Sequence, residues 1–181
     1  MKNNYFFWVL VLLLGAVNST MAQGIYLYHP SVTTKMGTNR PNEIELLSYQ
    51  FGVGRAISSP LAGGGRREAS NPSLSEISVT KHFDKSSNRL AQLATSGVAA
   101  NEPYEIRFYG TSKGGEPVLN LRIKLYQVMF SGYSQASADC GSGCPDMSES
   151  LTLNFTKIEI QNLRDKDVAD YSWNLENNKA Q

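Results

Sequence analysis

Three segments of this chain alternate apolar and polar residues and then reverse that alternation once. Residues 116–130 place Leu119, Leu121, Ile123 and Leu125 on one parity, then Tyr126, Val128 and Phe130 on the other. Residues 149–161 run Leu151, Leu153 and Phe155, then Ile158 and Ile160. Residues 43–54 run Ile44 and Leu46, then Leu47, Tyr49, Phe51 and Val53. Side chains of a strand repeat every second residue, so an apolar set changes face only at a bulge or where both faces are buried. One reversal in each of three long strands predicts strands that bend and pass from one packed sheet to another. The expected fold is mainly β, a small two-sheet β-barrel or a sandwich with shared corners. Alternatively, half of each strand is an outward apolar surface, which would make a subunit interface.

The remaining segments fit that frame. Residues 24–28 form a short strand, and 74–83 set Ile77, Val79 and Phe83 against Glu76, Ser78, Thr80 and His82. Residues 102–109 alternate Tyr104, Ile106 and Phe108 with Glu105, Arg107 and Tyr109, and Lys113-Gly114-Gly115 turns that strand into the next as a hairpin. A single flanking α-helix is predicted over 87–96. Ser86 or Ser87 would cap it, Leu90, Leu93 and Ala94 form its stripe, and Gly97 ends it. At about ten residues it needs a sheet to lie on. Residues 162–181 are polar and expected to be loose, with Tyr171 and Trp173 as possible anchor points.

Residues 1–22 stand apart from the fold. Lys2 supplies charge, 6–17 are apolar, and Thr20 and Ala22 occupy the −3 and −1 positions before Gln23. These are the parts of a secretory signal peptide. An apolar run of about twelve residues falls short of the roughly 20 that span a membrane. The expected division is a signal peptide at 1–22, a barrel domain at 23–161 and a tail at 162–181, with the processed protein secreted to the periplasm or beyond. Lys and Arg number 17 against 16 Asp and Glu. Lys2 leaves with the leader, so the remainder balances. Nucleic acid is not an expected partner without surplus cations, and no later apolar stretch would hold the processed chain in a membrane. Cys140 and Cys144 sit in Cys-Gly-Ser-Gly-Cys, where an oxidising compartment favours a disulfide. A loop so small gains about 2 kcal/mol from the bridge. The other reading is a two-thiolate metal site or redox pair, but structural zinc needs four ligands and no His or further Cys is near.

The search for catalytic groups yields little. His82 lies near Ser78, Thr80 and Asp84, but neighbouring positions of one strand cannot converge as nucleophile, base and orienting group. Gly52-Val53-Gly54 lacks a third glycine and a following helix, and Gly63-Gly64-Gly65-Arg66-Arg67 lacks the Lys-Ser/Thr of a phosphate loop. Glu43 with Glu45, and Asp165 with Asp167, are too few oxygens for calcium. Asn154-Phe155-Thr156 fits a glycosylation sequon, yet is placed mid-strand. No enzyme is expected. A monomeric exported β-sandwich that binds a ligand or surface glycan is the alternative function on these grounds.

Three runs carry a family resemblance. They are Glu43-Ile44-Glu45-Leu46-Leu47-Ser48-Tyr49-Gln50-Phe51-Gly52, then Ile77-Ser78-Val79-Thr80-Lys81-His82-Phe83-Asp84-Lys85-Ser86-Ser87, then Glu149-Ser150-Leu151-Thr152-Leu153-Asn154-Phe155-Thr156-Lys157-Ile158. In this order they resemble the Hcp family, the haemolysin-coregulated tube protein of type VI secretion systems. The resemblance implies a structural protein with no active site and no cofactor. It implies six-membered homo-oligomeric rings that stack into a tube, with effector proteins as possible lumen cargo. It also implies that residues 55–72, with Arg55, Arg66 and Arg67, form a loop that reaches a neighbouring ring. Such tube proteins are built in the cytoplasm, so the leader is a departure. Met21-Ala22-Gln23-Gly24-Ile25-Tyr26-Leu27 resembles a family N-terminus and leaves a start at Met21 open, but the ordered parts of the leader favour export.

Overall fold

The computed structural model describes residues 23–37, 40–58, 67–137, 147–165 and 167–180. The first strands are β1 (Gly24–Tyr28), β2 (Ile44–Leu46), β3 (Ser48–Gln50), β4 (Val53–Gly54) and β5 (Ile57–Ser58). Next come β6 (Glu68–Ala69), β7 (Ser73–Leu74) and β8 (Ile77–His82), followed by helix α1 (Ser87–Ser96). The chain then forms β9 (Tyr104–Thr111), β10 (Pro117–Tyr126), β11 (Met129–Ala136) and β12 (Ser148–Asn154). It ends in β13 (Lys157–Asn162), β14 (Tyr171–Asn174) and β15 (Lys179–Ala180). A seven-stranded sheet has the order β15-β14-β13-β10-β9-β1-β2, and a four-stranded sheet the order β11-β12-β8-β3.

The parity reversals are the places where the chain changes sheets. Leu47 separates β2 in the large sheet from β3 in the small one, and its N–H donates to the Thr80 carbonyl at 2.7 Å. Gln127 and Val128 separate β10 from β11, and Gln127 takes a left-handed φ of 51°. Phe155 and Thr156 separate β12 from β13. Those last two corners are tied together, since the Thr156 N–H donates to the Tyr126 carbonyl at 3.1 Å and its hydroxyl to Gln127 Oε1 at 3.1 Å. Each strand therefore faces one core with one parity before its corner and with the other after it.

That core lies between the sheets. The large sheet contributes Leu27, Ile44, Tyr104, Ile106, Leu125 and Ile158, and the small sheet Ile77, Val79, Leu151 and Leu153, all essentially buried. Each such side chain contributes about 1.5–3 kcal/mol of burial free energy. Helix α1 lies against β11 and buries Leu90 completely, with Leu93 and Ala94 half-buried beside it, as the stripe requires. Gly97 ends it at φ 61°, and Gly115 makes the β9–β10 turn at φ 87°.

Three expectations change. The polar tail is paired rather than loose: β14 joins β13 with Tyr171 opposite Ile160 and Trp173 opposite Ile158, and β15 follows. Trp173 packs on the core and the Leu175 N–H donates to the Thr156 carbonyl at 2.8 Å, so the tail covers an edge that would otherwise leave backbone groups unpaired. Residues 55–72, expected as a loop, are in their described part an exposed ribbon, with Val53 opposite Leu74 and Ile57 opposite Ala69. Phe83 is 46% exposed because β8 ends at His82, one residue short of it, and Lys81 is the last inward position of that strand.

A β-branched side chain at the left-handed corner should be penalised. Gln127→Val is expected to lower unfolding free energy by about 1–2 kcal/mol, and Gln127→Gly to leave it nearly unchanged. Urea titration measures both, and equal stability of the valine variant would contradict a left-handed corner.

Candidate functional site

The ammonium of Lys81 is the centre of a dense polar network. It donates to Glu149 Oε2 at 2.8 Å, the His82 carbonyl at 2.6 Å and Ser87 Oγ at 3.2 Å, and lies 2.9 Å from Asp84 Oδ1. Lys81 and Glu149 face each other directly across β8 and β12, and both side chains are 0% exposed. The second Glu149 oxygen accepts the Tyr133 hydroxyl at 2.7 Å and the Gln135 amide at 3.0 Å, both from β11. Ser87 Oγ donates to Glu149 at 2.8 Å and accepts the Asp84 N–H at 2.9 Å. One cation and one carboxylate thus join three strands to the start of α1. The helix entry differs from expectation: Ser86 makes no side-chain cap, and Asp84 instead accepts the Ser86 N–H at 2.8 Å. Asp84 is held there by Lys81, which makes the turn a product of the buried pair.

The electrostatics follow from this saturation. Burial alone would raise the Glu149 pKa, but hydrogen bonds from Lys81, Gln135, Tyr133 and Ser87 outweigh it and hold the carboxyl below its ordinary value. Burial, reinforced by the adjacent Glu149 carboxylate, pushes the Tyr133 phenol up to about 12. Lys81 and Glu149 are each engaged by several close partners, and the constellation anchors β8, β11 and β12 to α1.

A second cluster occupies the outer face of the large sheet. Arg107 bridges Glu43 Oε1 at 2.7 Å and Glu105 Oε2 at 2.6 Å, and its guanidinium stacks 3.6 Å over the Tyr28 ring. Burial opposes the Arg107 charge, yet the two carboxylates prevail and raise its pKa. Arg40 stacks 3.8 Å over Tyr109, whose hydroxyl donates to Glu43 at 2.9 Å. This clamps the loop after β1 onto β9. Glu43, weighed above as a calcium ligand, is committed to these partners.

Of the residues singled out from sequence, Arg55 and Arg67 are exposed on the ribbon. Arg66, Cys140 and Cys144 lie outside the described residues. His82 is exposed on β8, and Asn154 sits at the end of β12 with its amide donating to Glu76 at 2.8 Å. His29 was not singled out, yet it is 4% exposed. Its Nδ1 lies 3.3 Å from both the Ser31 and Val32 N–H groups and accepts from them, leaving the proton on Nε2. Clefts open on the surface formed by the described residues. One of 310 Å³ is lined by Glu45, Leu47, His82, Phe83 and Asp84, and a second of 410 Å³ shares Glu45 and Leu47 with Ile25 and Phe108. The third, of 540 Å³, lies beside α1.

Lys81→Met should cost about 3–5 kcal/mol, because it strands buried carboxylates. Replacing both partners, as Lys81→Met with Glu149→Leu, should restore much of that loss. A double variant less stable than either single one would contradict a paired site. The Glu149 pKa is depressed by folding, so its contribution is complete above the unfolded value near 4.5 and disappears as pH falls through the lower folded value. Acid titration of stability should therefore be shallower in Glu149→Gln.

Comparison with known proteins places this geometry. Solved structures of low sequence identity share the fold. "Structure of a type six secretion system protein" matches with a TM-score of 0.72 at 21% identity, covering 88% of this chain and all (100%) of its own. Hcp1 from Salmonella typhimurium matches with a TM-score of 0.66 at 18% identity, covering 89% of this chain and 100% of its own. Hcp2 from the same organism gives 0.60 at 16% identity, with 86% and 98% covered. No curated protein sequence matches. The family model "Type VI secretion system effector, Hcp" matches residues 34–161, a span that contains the Lys81–Glu149 pair and all three sheet-switching corners. By that match the chain belongs to the Hcp family.

Proposed function

We propose that this protein is a non-enzymatic, ring-forming building block of a type VI secretion tube, exported in its own right through an N-terminal signal peptide. Membership of the Hcp family, which is a structural tube family, carries the reading. Two surface features support assembly. Leu47 and Phe83, 50% and 46% exposed, line one cleft at the β2–β3 corner, and Met147 beside them is 36% exposed. Val53 and Ile57, 56% and 57% exposed, stand on the ribbon with Arg55 and Arg67. Apolar side chains in such positions on a small domain are commonly covered by another subunit. In this reading the corner serves contacts within a six-membered ring and the ribbon serves contacts between stacked rings, leaving the lumen to an effector protein.

Light scattering on protein beginning at Gln23 should give a hexamer. Leu47→Asp with Phe83→Asp should yield folded monomers, and Ile57→Asp should keep rings but lose stacking. A wild-type chain that stays monomeric at high concentration would overturn the ring and favour the exported ligand-binding sandwich.

Export is tested separately. Mass spectrometry of the native protein should find a mature terminus at Gln23, and Cys140 and Cys144 should resist alkylation until reduced. A terminus at Met21 or Ala22 with free thiols would restore a cytoplasmic tube.

A further inference from the structure

His29 holds the turn after β1 from the inside. Its ring is buried and tilts against the Tyr104 ring at 4.2 Å. Nδ1 accepts the Ser31 and Val32 N–H groups, both at 3.3 Å, with the Ser31 hydroxyl 3.2 Å away. The His29 backbone grips the same turn, its N–H donating to Thr33 Oγ1 at 3.0 Å and its carbonyl accepting the Thr33 N–H at 3.0 Å. Thr33 Oγ1 also lies 2.7 Å from the Asn42 carbonyl, which ties the turn to the residue before Glu43. An Nδ1 that accepts from two amides carries no proton, so the ring is neutral in this arrangement. Nε2–H meets no acceptor in hydrogen-bonding geometry among the described residues. A charged ring would set a second N–H against the two amides and deprive them of their acceptor, at the cost of buried donors left unpaired. The ring has an exit, since His29 lines the 540 Å³ cleft beside α1 and Glu102 stands exposed on the same lining.

We propose that His29 is a pH-operated latch on the turn after β1. Neutral, the ring pins residues 30–33 from inside. Protonated, it turns out into the cleft toward the Glu102 carboxylate and frees the turn. Glu102, just before β9, is the charged group that favours the imidazolium. Tyr104 of β9 is a neutral phenol, and Arg89 of α1, on the same lining, opposes a second cation there. Val128 and Phe130 are apolar, and residues 30–34 carry no ionisable side chain. Burial outweighs the nearby Glu102 carbonyl and carboxylate, so the folded His29 pKa lies below its ordinary 6.5. The unfolded chain therefore takes up this proton first as pH falls. The latch contributes fully above 6.5, and its contribution is lost as pH drops toward the lower folded value. Nothing here depends on ring formation.

Hydrogen exchange read by mass spectrometry on the purified protein, from about pH 8 down to about pH 4.5, tests the latch. Exchange at the His29 ring carbon follows its titration, and exchange at backbone amides follows the turn. The ring should titrate below 6.5. Amide protection over residues 31–33, corrected for the intrinsic pH dependence of exchange, should fall about tenfold as it does, the equivalent of one lost hydrogen bond. Amides of β8 and β12 should keep their protection over the same range. His29→Asn presents Oδ1 in place of Nδ1 and does not titrate, so it should keep the turn protected and abolish the pH dependence. Glu102→Gln removes the outer partner and should move the ring's titration lower still. Any of four results would overturn the proposal. These are titration of His29 at or above 6.5, turn protection unmoved across that titration, a pH-dependent loss that persists in His29→Asn, or a titration unmoved in Glu102→Gln. The first two are read on the unaltered chain and decide the matter whether or not His29→Asn folds.

Discussion

The Lys81 ammonium is the constraint on which the small sheet and the helix depend together. A buried cation is tolerated only when its partners are close and geometrically fixed, and here they come from β12 through Glu149 and from the helix entry through Asp84 and Ser87. Tyr133 and Gln135 bring β11 into the same network. The pair gives each of these elements one position relative to the others, which apolar packing alone specifies less sharply. It also explains why Thr80-Lys81-His82-Phe83-Asp84-Lys85-Ser86-Ser87 reads as a motif: Lys81, Asp84 and Ser87 are bonded to one another in space.

The corners are the second constraint. Three strands serve two sheets each, so a displacement of one sheet is felt in the other through Leu47, Gln127 and Phe155. The joined corners at Tyr126–Gln127 and Thr156 receive a further hydrogen bond from Leu175, and the tail thereby becomes part of the large sheet. Leu47 is both a corner and an exposed apolar residue in the cleft proposed for subunit contact. A bend that takes the chain out of one sheet leaves little neighbouring structure to cover the side chain at its tip.

Much of this was legible in the sequence. The parity reversals located all three sheet changes, because side-chain alternation is local and survives any arrangement of the sheets. The hairpin glycine, the helix stripe and Gly97 were equally local. The buried pair was legible in principle and missed: Lys81 shares the parity of Ile77 and Val79, and Glu149 that of Leu151 and Leu153, so each is a charge on an inward face. Reading Phe83 as the next core residue concealed this. The family resemblance marked residues 55–72 as a loop but not the strand pairing in its described part, which two-residue strands cannot announce by periodicity.

What the sequence determined alone is the set of local choices: which residues alternate, where the alternation breaks, where a left-handed glycine ends a helix or makes a turn. What only the tertiary structure decided is which distant groups meet. Lys81 and Glu149 are far apart in the chain and face each other only because β8 and β12 pair in that register. Tyr171 and Trp173 become strand residues only because β13 offers an open edge. Alternation is written by neighbours two residues apart, whereas pairing, burial and satisfaction depend on segments that meet only after the chain has folded.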